Sequence, residues 1–121
     1  MAEALAAEVG PFGITVMAVE PGAFRTNLFG PGAVVLSEEN PAYAATAGLT
    51  RRFVESGDGT QPGDPVKAAA AIRTALAAAQ TPLRLPLGSD AVDRIVTHLH
   101  TVREELLTWE KVSRGTDVDD A

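Results

Sequence analysis

Several groups of residues in this chain have types and spacings that could do chemistry. The most suggestive is Glu20-Pro21-Gly22-Ala23-Phe24-Arg25-Thr26, which follows an apolar run. Pro21 fixes a turn, Gly22 lacks a Cβ and so lets backbone approach a flat ring, and Thr26 can offer a hydroxyl and an N–H to an amide or a phosphate. Taken alone, Pro-Gly after such a run is more often a plain turn. His98 and His100 suggest a metal pair, but two residues apart on a helix they point about 200° from each other. They cannot share an ion, so no metal site is expected. Glu38-Glu39 and Glu104-Glu105 are adjacent acids without the spacing for paired acid and base work, and read as solvated faces. The one tyrosine, Tyr43, has Ala47 four residues on, and both lysines, Lys67 and Lys111, lie elsewhere. No phenol therefore has a lysine at the helical spacing that would lower its pKa, and no catalytic residue is assigned. Gly57-Asp58-Gly59-Thr60-Gln61-Pro62-Gly63 approaches a dinucleotide fingerprint, but its spacing is wrong and no strand precedes it, so it reads as a loop.

The elements that must position these residues are those of one small domain. The chain has 121 residues, 45% hydrophobic and 21% charged, which is globular and too short for two full domains. With 5% aromatic residues and abundant alanine, the core must be small and aliphatic, which suits helices lying close on a sheet. A net charge of −6 argues against nucleic-acid binding, which needs clustered Lys and Arg. The absence of cysteine removes disulfide and thiolate chemistry. No apolar run approaches the ~18 residues of a membrane span, and the first residues lack the pattern of a signal peptide, so the expected location is cytoplasmic.

Ala2 to Val9 reads as the end of a helix stopped by Gly10-Pro11. It has no N-cap residue before it, as if its natural start lay upstream. Ile14 to Val19 is short, β-branched and almost continuously apolar, the pattern of a strand buried on both faces in a parallel sheet. The loop leaving its carboxyl end, beginning Glu20-Pro21-Gly22, is where open α/β folds place ligands. Residues 27–63 are rich in Gly and Pro around a modest helix, Ala42 to Val54, and have the character of a lid. Leu28, Phe29, Leu36 and Tyr43 in that lid would line an apolar substrate cleft or, alternatively, close the lid's own small core. Asp64 caps a helix with Pro65 at its first position, running to about Gln80. Pro82 to Leu87 reads as a short strand near a sheet edge. Ser89 is expected to cap a third helix, in which Val92, Ile95, Val96, Leu99, Val102 and Leu106 form the clearest amphipathic face. Trp109 reads as a packing or subunit-contact residue. The acidic tail from Ser113, with Asp117, Asp119 and Asp120, is expected to fray.

Ile14-Thr-Val-Met-Ala-Val-Glu-Pro21-Gly22-Ala-Phe24-Arg-Thr26 resembles the strand and loop with which short-chain dehydrogenase/reductases close over a nicotinamide, the Pro-Gly-x-x-x-Thr spacing being the specific part. The likeness extends to Glu3-Ala-Leu-Ala-Ala-Glu-Val-Gly-Pro-Phe-Gly, Gln61-Pro-Gly-Asp-Pro, Pro82-Leu-Arg-Leu-Pro-Leu-Gly-Ser-Asp-Ala and Trp109-Glu-x-Val-Ser, so it covers nearly the whole chain. It implies an α/β fold, the C-terminal fragment of a doubly wound parallel (Rossmann-like) sheet, with two short strands and three or four helices. Residues 1–26 would be helix end, strand and cofactor loop, 27–63 the substrate lid, and 64–121 the C-terminal helices and edge strand of a single partial domain. It implies an NAD(P)-dependent oxidoreductase acting on a carbonyl or alcohol, with Pro21, Gly22, the Phe24 N–H and the Thr26 side chain on the cofactor's carboxamide side and Arg25 bordering the site. The family's Gly-rich phosphate turn and its Tyr-x-x-x-Lys pair are not in these residues. The expectation is that the chain alone neither grips NAD or NADP tightly nor turns over substrate. A homo-oligomer, or association with a full-length relative as a truncated, non-catalytic module, is expected because an unpaired strand edge invites pairing.

Overall fold

The computed structural model describes residues 1–118. Alanine-rich helix α1, Ala2–Val9, runs into a 3₁₀ turn over Gly10–Phe12 that Gly13 closes with φ 74°, a left-handed conformation open to a residue without Cβ. Strand β1 is Ala18–Pro21. Residues 27–63 contain α2, Ala47–Ser56, and are followed by α3, Pro65–Leu76, and β2, Arg84–Leu87. The chain continues into α4, Ser89–Arg114. β1 and β2 pair in parallel with Ala18 opposite Arg84 and Pro21 opposite Leu87. The Ala18 N–H to Leu83 carbonyl bond (2.8 Å) and the Gly22 N–H to Leu87 carbonyl bond (2.9 Å) close the two ends of the ladder. Among the described residues, four α-helices and a two-stranded parallel sheet are thus the α/β fragment expected of the chain.

Local chemistry explains most boundaries. The Asp64 carboxylate accepts from the Val66 and Lys67 N–H groups (2.8 and 3.3 Å), and Pro65 follows at the first helical position, so α3 starts where the sequence places it. It stops at Leu76 rather than Gln80, with the Ala77 N–H closing the last turn on the Arg73 carbonyl (3.0 Å). The helix expected over Ala42 to Val54 divides. Asn40 accepts from the Ala42 N–H (3.0 Å) and caps a 3₁₀ turn, Pro41–Tyr43, and α2 begins only at Ala47. Helix α4 has Gly88 at its cap position with φ 92°, not Ser89, which is already helical. No Ser89 side-chain cap forms.

The larger correction concerns β1. The apolar segment Ile14 to Met17 is not in the ladder, because β2 offers only four residues and these face Ala18–Pro21. Nor is the strand buried on both faces: Val19 is 37% and Ile14 55% exposed. The buried apolar side chains are Ala75, Leu87 and Ala91, one each from α3, β2 and α4, where the three elements meet. On the expected face of α4, Val92, Val96, Leu99, Val102 and Leu106 are all exposed, as is Trp109. The accessible surface is 9750 Å², whereas a compact monomer of 12.6 kDa exposes about 6,200 Å². Arg84 on β2 ties α1 to β1 by pairing with Glu3 (2.8 Å) and with Glu20. This holds the Glu3 carboxyl below, and the Arg84 guanidinium above, their ordinary ranges, chiefly through the hydrogen bond between them. Both groups are exposed, so water screens the pair. No helix among the described residues is long and apolar enough to cross a membrane.

Candidate functional site

The loop leaving β1 is held on every side. Gly22 donates to Leu87 on β2 (2.9 Å), Arg25 donates its N–H to Gly63 (2.8 Å), Gly63 returns a bond to the Ala23 carbonyl (3.0 Å), and the Thr26 N–H turns back on the Phe24 carbonyl (2.9 Å). The Ala23 N–H goes to a side chain, the Asp90 carboxylate (2.8 Å), reaching over from the first turn of α4. That bond, first among the causes, lowers the Asp90 carboxyl below its ordinary range. Of the backbone N–H groups from Gly22 to Thr26, only that of Phe24 donates to nothing among the described residues. Because the Phe24–Gly63 bridge uses the neighbouring Ala23 carbonyl and Arg25 N–H, the Phe24 amide faces away from Gly63.

Beside this loop lies a cleft of about 730 Å³. Of the residues assigned from sequence, Pro21, Gly22, Phe24, Leu28 and Phe29 line it. Thr26 does not: its Oγ1 accepts from the Leu28 N–H (3.4 Å) and caps the 3₁₀ turn Asn27–Phe29, which leaves the hydroxyl proton unspent. Leu36 and Tyr43 line a separate depression of about 430 Å³ against α2. The four residues of 27–63 singled out from the sequence therefore divide between two depressions, and Phe29 has contacts on two sides. It lines the cleft and also meets Phe53 of α2 edge to face, ring centres 5.6 Å apart and planes at 85°.

The structure adds residues that the sequence reading passed over. Asp90 and Arg94, one turn apart on α4, and Phe53 line the cleft, as does Gln61. Asp90 also accounts for Gly22: a Cβ there would run into the Asp90 carboxylate. The close approach that requires glycine is thus made by a side chain of this chain. Arg25 borders the site by holding it together, its Nε and Nη2 donating to the Gln61 carbonyl (3.2 and 3.0 Å). Gln61 is 4% exposed, and its buried Oε1 has no hydrogen-bond partner. The only available signal for Asp90 was an acid just after Gly88-Ser89, where helix starts carry acids anyway. Nothing in the sequence marked Gln61 as buried. His98 and His100 stand on exposed positions of α4, and no cluster of metal-ligating residues occurs among the described residues. Asp119 and Asp120 lie outside them.

No family model matches the chain. A crystal structure of a short-chain dehydrogenase from Streptomyces avermitilis is 66% identical, superposes with a TM-score of 0.80, and is matched over 97% of this chain and 42% of its own. An oxidoreductase of Botryotinia fuckeliana is 36% identical over 89 residues, 74% of this chain and 32% of that protein. The chain therefore spans less than half the length of either.

Proposed function

From the premise that the chain belongs to the short-chain dehydrogenases and corresponds to the C-terminal part of their fold, we propose that it forms the nicotinamide-side wall and substrate lid of an NAD(P)-dependent oxidoreductase for a carbonyl or alcohol. The observation that carries this reading is the unspent Phe24 N–H, left over in a loop whose other amides are all used. It is a donor held in place without a partner, beside an apolar cleft. A cofactor carboxamide fits it, because such a group brings a carbonyl to accept from Phe24 and an amine to donate elsewhere. Pro21 and Phe24 line the same cleft, whereas Thr26 lies outside it and the Asp90 carboxylate occupies the space that Gly22 leaves open. Bound NAD or NADP would supply the hydride acceptor or donor. What this chain contributes is orientation: Asp90, Leu87 and Gly63 fix the loop, Leu28 and Phe29 offer apolar contact to the substrate, and the lid carrying Leu36 and Tyr43 keeps water from it.

The 121 residues contain no Tyr-Lys pair to move the proton and no Gly-rich turn for the pyrophosphate. Alone, the chain holds a nicotinamide weakly and does not turn it over. Its surface, larger than a compact monomer's by about 3,500 Å², favours a state in which apolar faces are covered, as a homo-oligomer or on a full-length relative. That excess exceeds the ~1,600 Å² of a standard interface. The test is a titration of the labelled chain with nicotinamide mononucleotide, followed by amide NMR. The Phe24 amide is expected to shift most, with Gly22 and Ala23 following. Shifts confined to surfaces away from residues 21–26, or none at millimolar ligand, would remove the reading.

A further inference from the structure

Helix α4 has one buried residue, Ala91, so it is anchored by its first turn. The apolar side beyond that turn is uncovered. Val92, Leu99, Val102, Leu106 and Trp109 are exposed, Leu99 to 60% and Trp109 to 62%, while Ile95 is half-buried and lines the cleft. From Val92 to Trp109 these six residues follow one another in alternating steps of three and four, with no polar residue among them. That spacing is the seam of a coiled coil, which asks for a second helix of the same period. The helix is about 39 Å long, enough to carry the seam over its full length.

The charges flanking the seam decide what covers it. In a parallel pair of α4 helices, Glu105 would face Glu110 of the second copy, and His98 would face Arg103, so neither contact brings opposite charges together. In an antiparallel pair, Leu99 meets Val102, Ile95 meets Leu106 and Val92 meets Trp109, and every seam residue is matched. His98 then comes beside Glu105 twice, and Arg103 lays its stem on Val96. We propose that the apolar face of α4 docks on α4 of a second copy of this chain, antiparallel about a two-fold axis. Leu106 of the second copy closes on Ile95, so the association also builds one rim of the cleft. The assignment rests on the covered state argued above, names its partner, and does not depend on the nicotinamide reading.

Trp109 is the only tryptophan and occupies an end layer of the seam, so its emission reports the contact. Sedimentation and tryptophan emission are measured together on the full chain over a dilution series. Wild-type chain is expected to pass from dimer to monomer with the emission moving to longer wavelength in step. His98→Lys places a second cation-to-Glu105 contact in the antiparallel pair and a like-charge contact with Arg103 in the parallel one, and is expected to tighten the dimer. Adding Glu105→Lys to it is expected to weaken the dimer by about fivefold relative to His98→Lys alone, whereas a parallel pair would tighten. A dimer whose Trp109 emission ignores dilution, or charge variants with the opposite signs, overturns the α4 pairing and leaves the covered state standing. A chain that stays monomeric at every concentration overturns self-association altogether and assigns the α4 face to another part of the fold. The wild-type series decides between these even if a variant fails to fold.

Discussion

Replacing Gly63 with alanine tests whether the loop carrying Phe24 is as tightly clamped as its geometry says. A Cβ at position 63 would sit 2.6 Å from Cδ1 and 2.7 Å from Cγ of Phe24, and 2.8 Å from the Ala23 carbonyl oxygen. Normal carbon contacts are about 3.5–4.0 Å, so the overlap must be relieved by movement. The Ala23 carbonyl is not free to yield, since it accepts the Gly63 N–H at 3.0 Å while Gly63 in turn accepts from Arg25 at 2.8 Å. Either the Phe24 ring leaves its rotamer, at about 0.5–1.5 kcal/mol, or the bridge between the two loops opens. Overpacking of this kind costs about 1–3 kcal/mol in total. At the midpoint of that range the folded-to-unfolded ratio falls about thirtyfold. Urea unfolding followed by far-UV circular dichroism would show the midpoint moving down with little change in slope. The Phe24 amide should also move in the NMR spectrum of the unliganded chain. A variant with the wild-type midpoint and an unshifted Phe24 would mean that the two loops are not in contact as described.

Three further outcomes follow from other parts of the molecule. Asp64→Ala removes an N-cap that serves two amides and should cost about 1 kcal/mol, seen in the same urea experiment. Because the Asp90 carboxyl lies below its ordinary range when folded, its contribution is full above the unfolded value of about 3.9 and is lost as pH falls through the folded value. Asp90→Asn should therefore flatten the loss of stability between pH 5 and the acid transition, and an unchanged acid profile would refute the Ala23 bond. Finally, if the exposed face of α4 is the self-association surface, Leu99→Glu removes a side chain worth about 1.5–3 kcal/mol in each copy. Sedimentation at a series of concentrations should then show self-association weakened by about a hundredfold or more.

What could be seen in the sequence was whatever depended on neighbours in the chain. Asp64-Pro65 announces its helix because a cap and its amides lie within three residues, and the periodicity of α4 is long enough to survive an error at its start. The Ser89 assignment missed by one position because a left-handed glycine can occupy the cap and leave no side-chain trace. Ile14 to Met17 has the composition of a buried strand, but pairing depends on a partner, and β2 reaches only Ala18 to Pro21. The same reason hid the most informative groups of the site. Asp90 meets Ala23 across 67 residues of chain, and Arg25 meets Gln61 across 36. Local pattern marked the Pro-Gly loop, and only the assembled fold showed that its Phe24 amide is the one left unspent.

Under the proposed function, this chain carries the nicotinamide half of a dinucleotide pocket and not the pyrophosphate half. Calorimetric titration with nicotinamide mononucleotide and with the complete dinucleotide tests it most directly. Equal, weak affinities are predicted, because the adenosine phosphate portion finds nothing here to hold it. A dinucleotide bound more tightly than the mononucleotide by about tenfold or more would contradict the account.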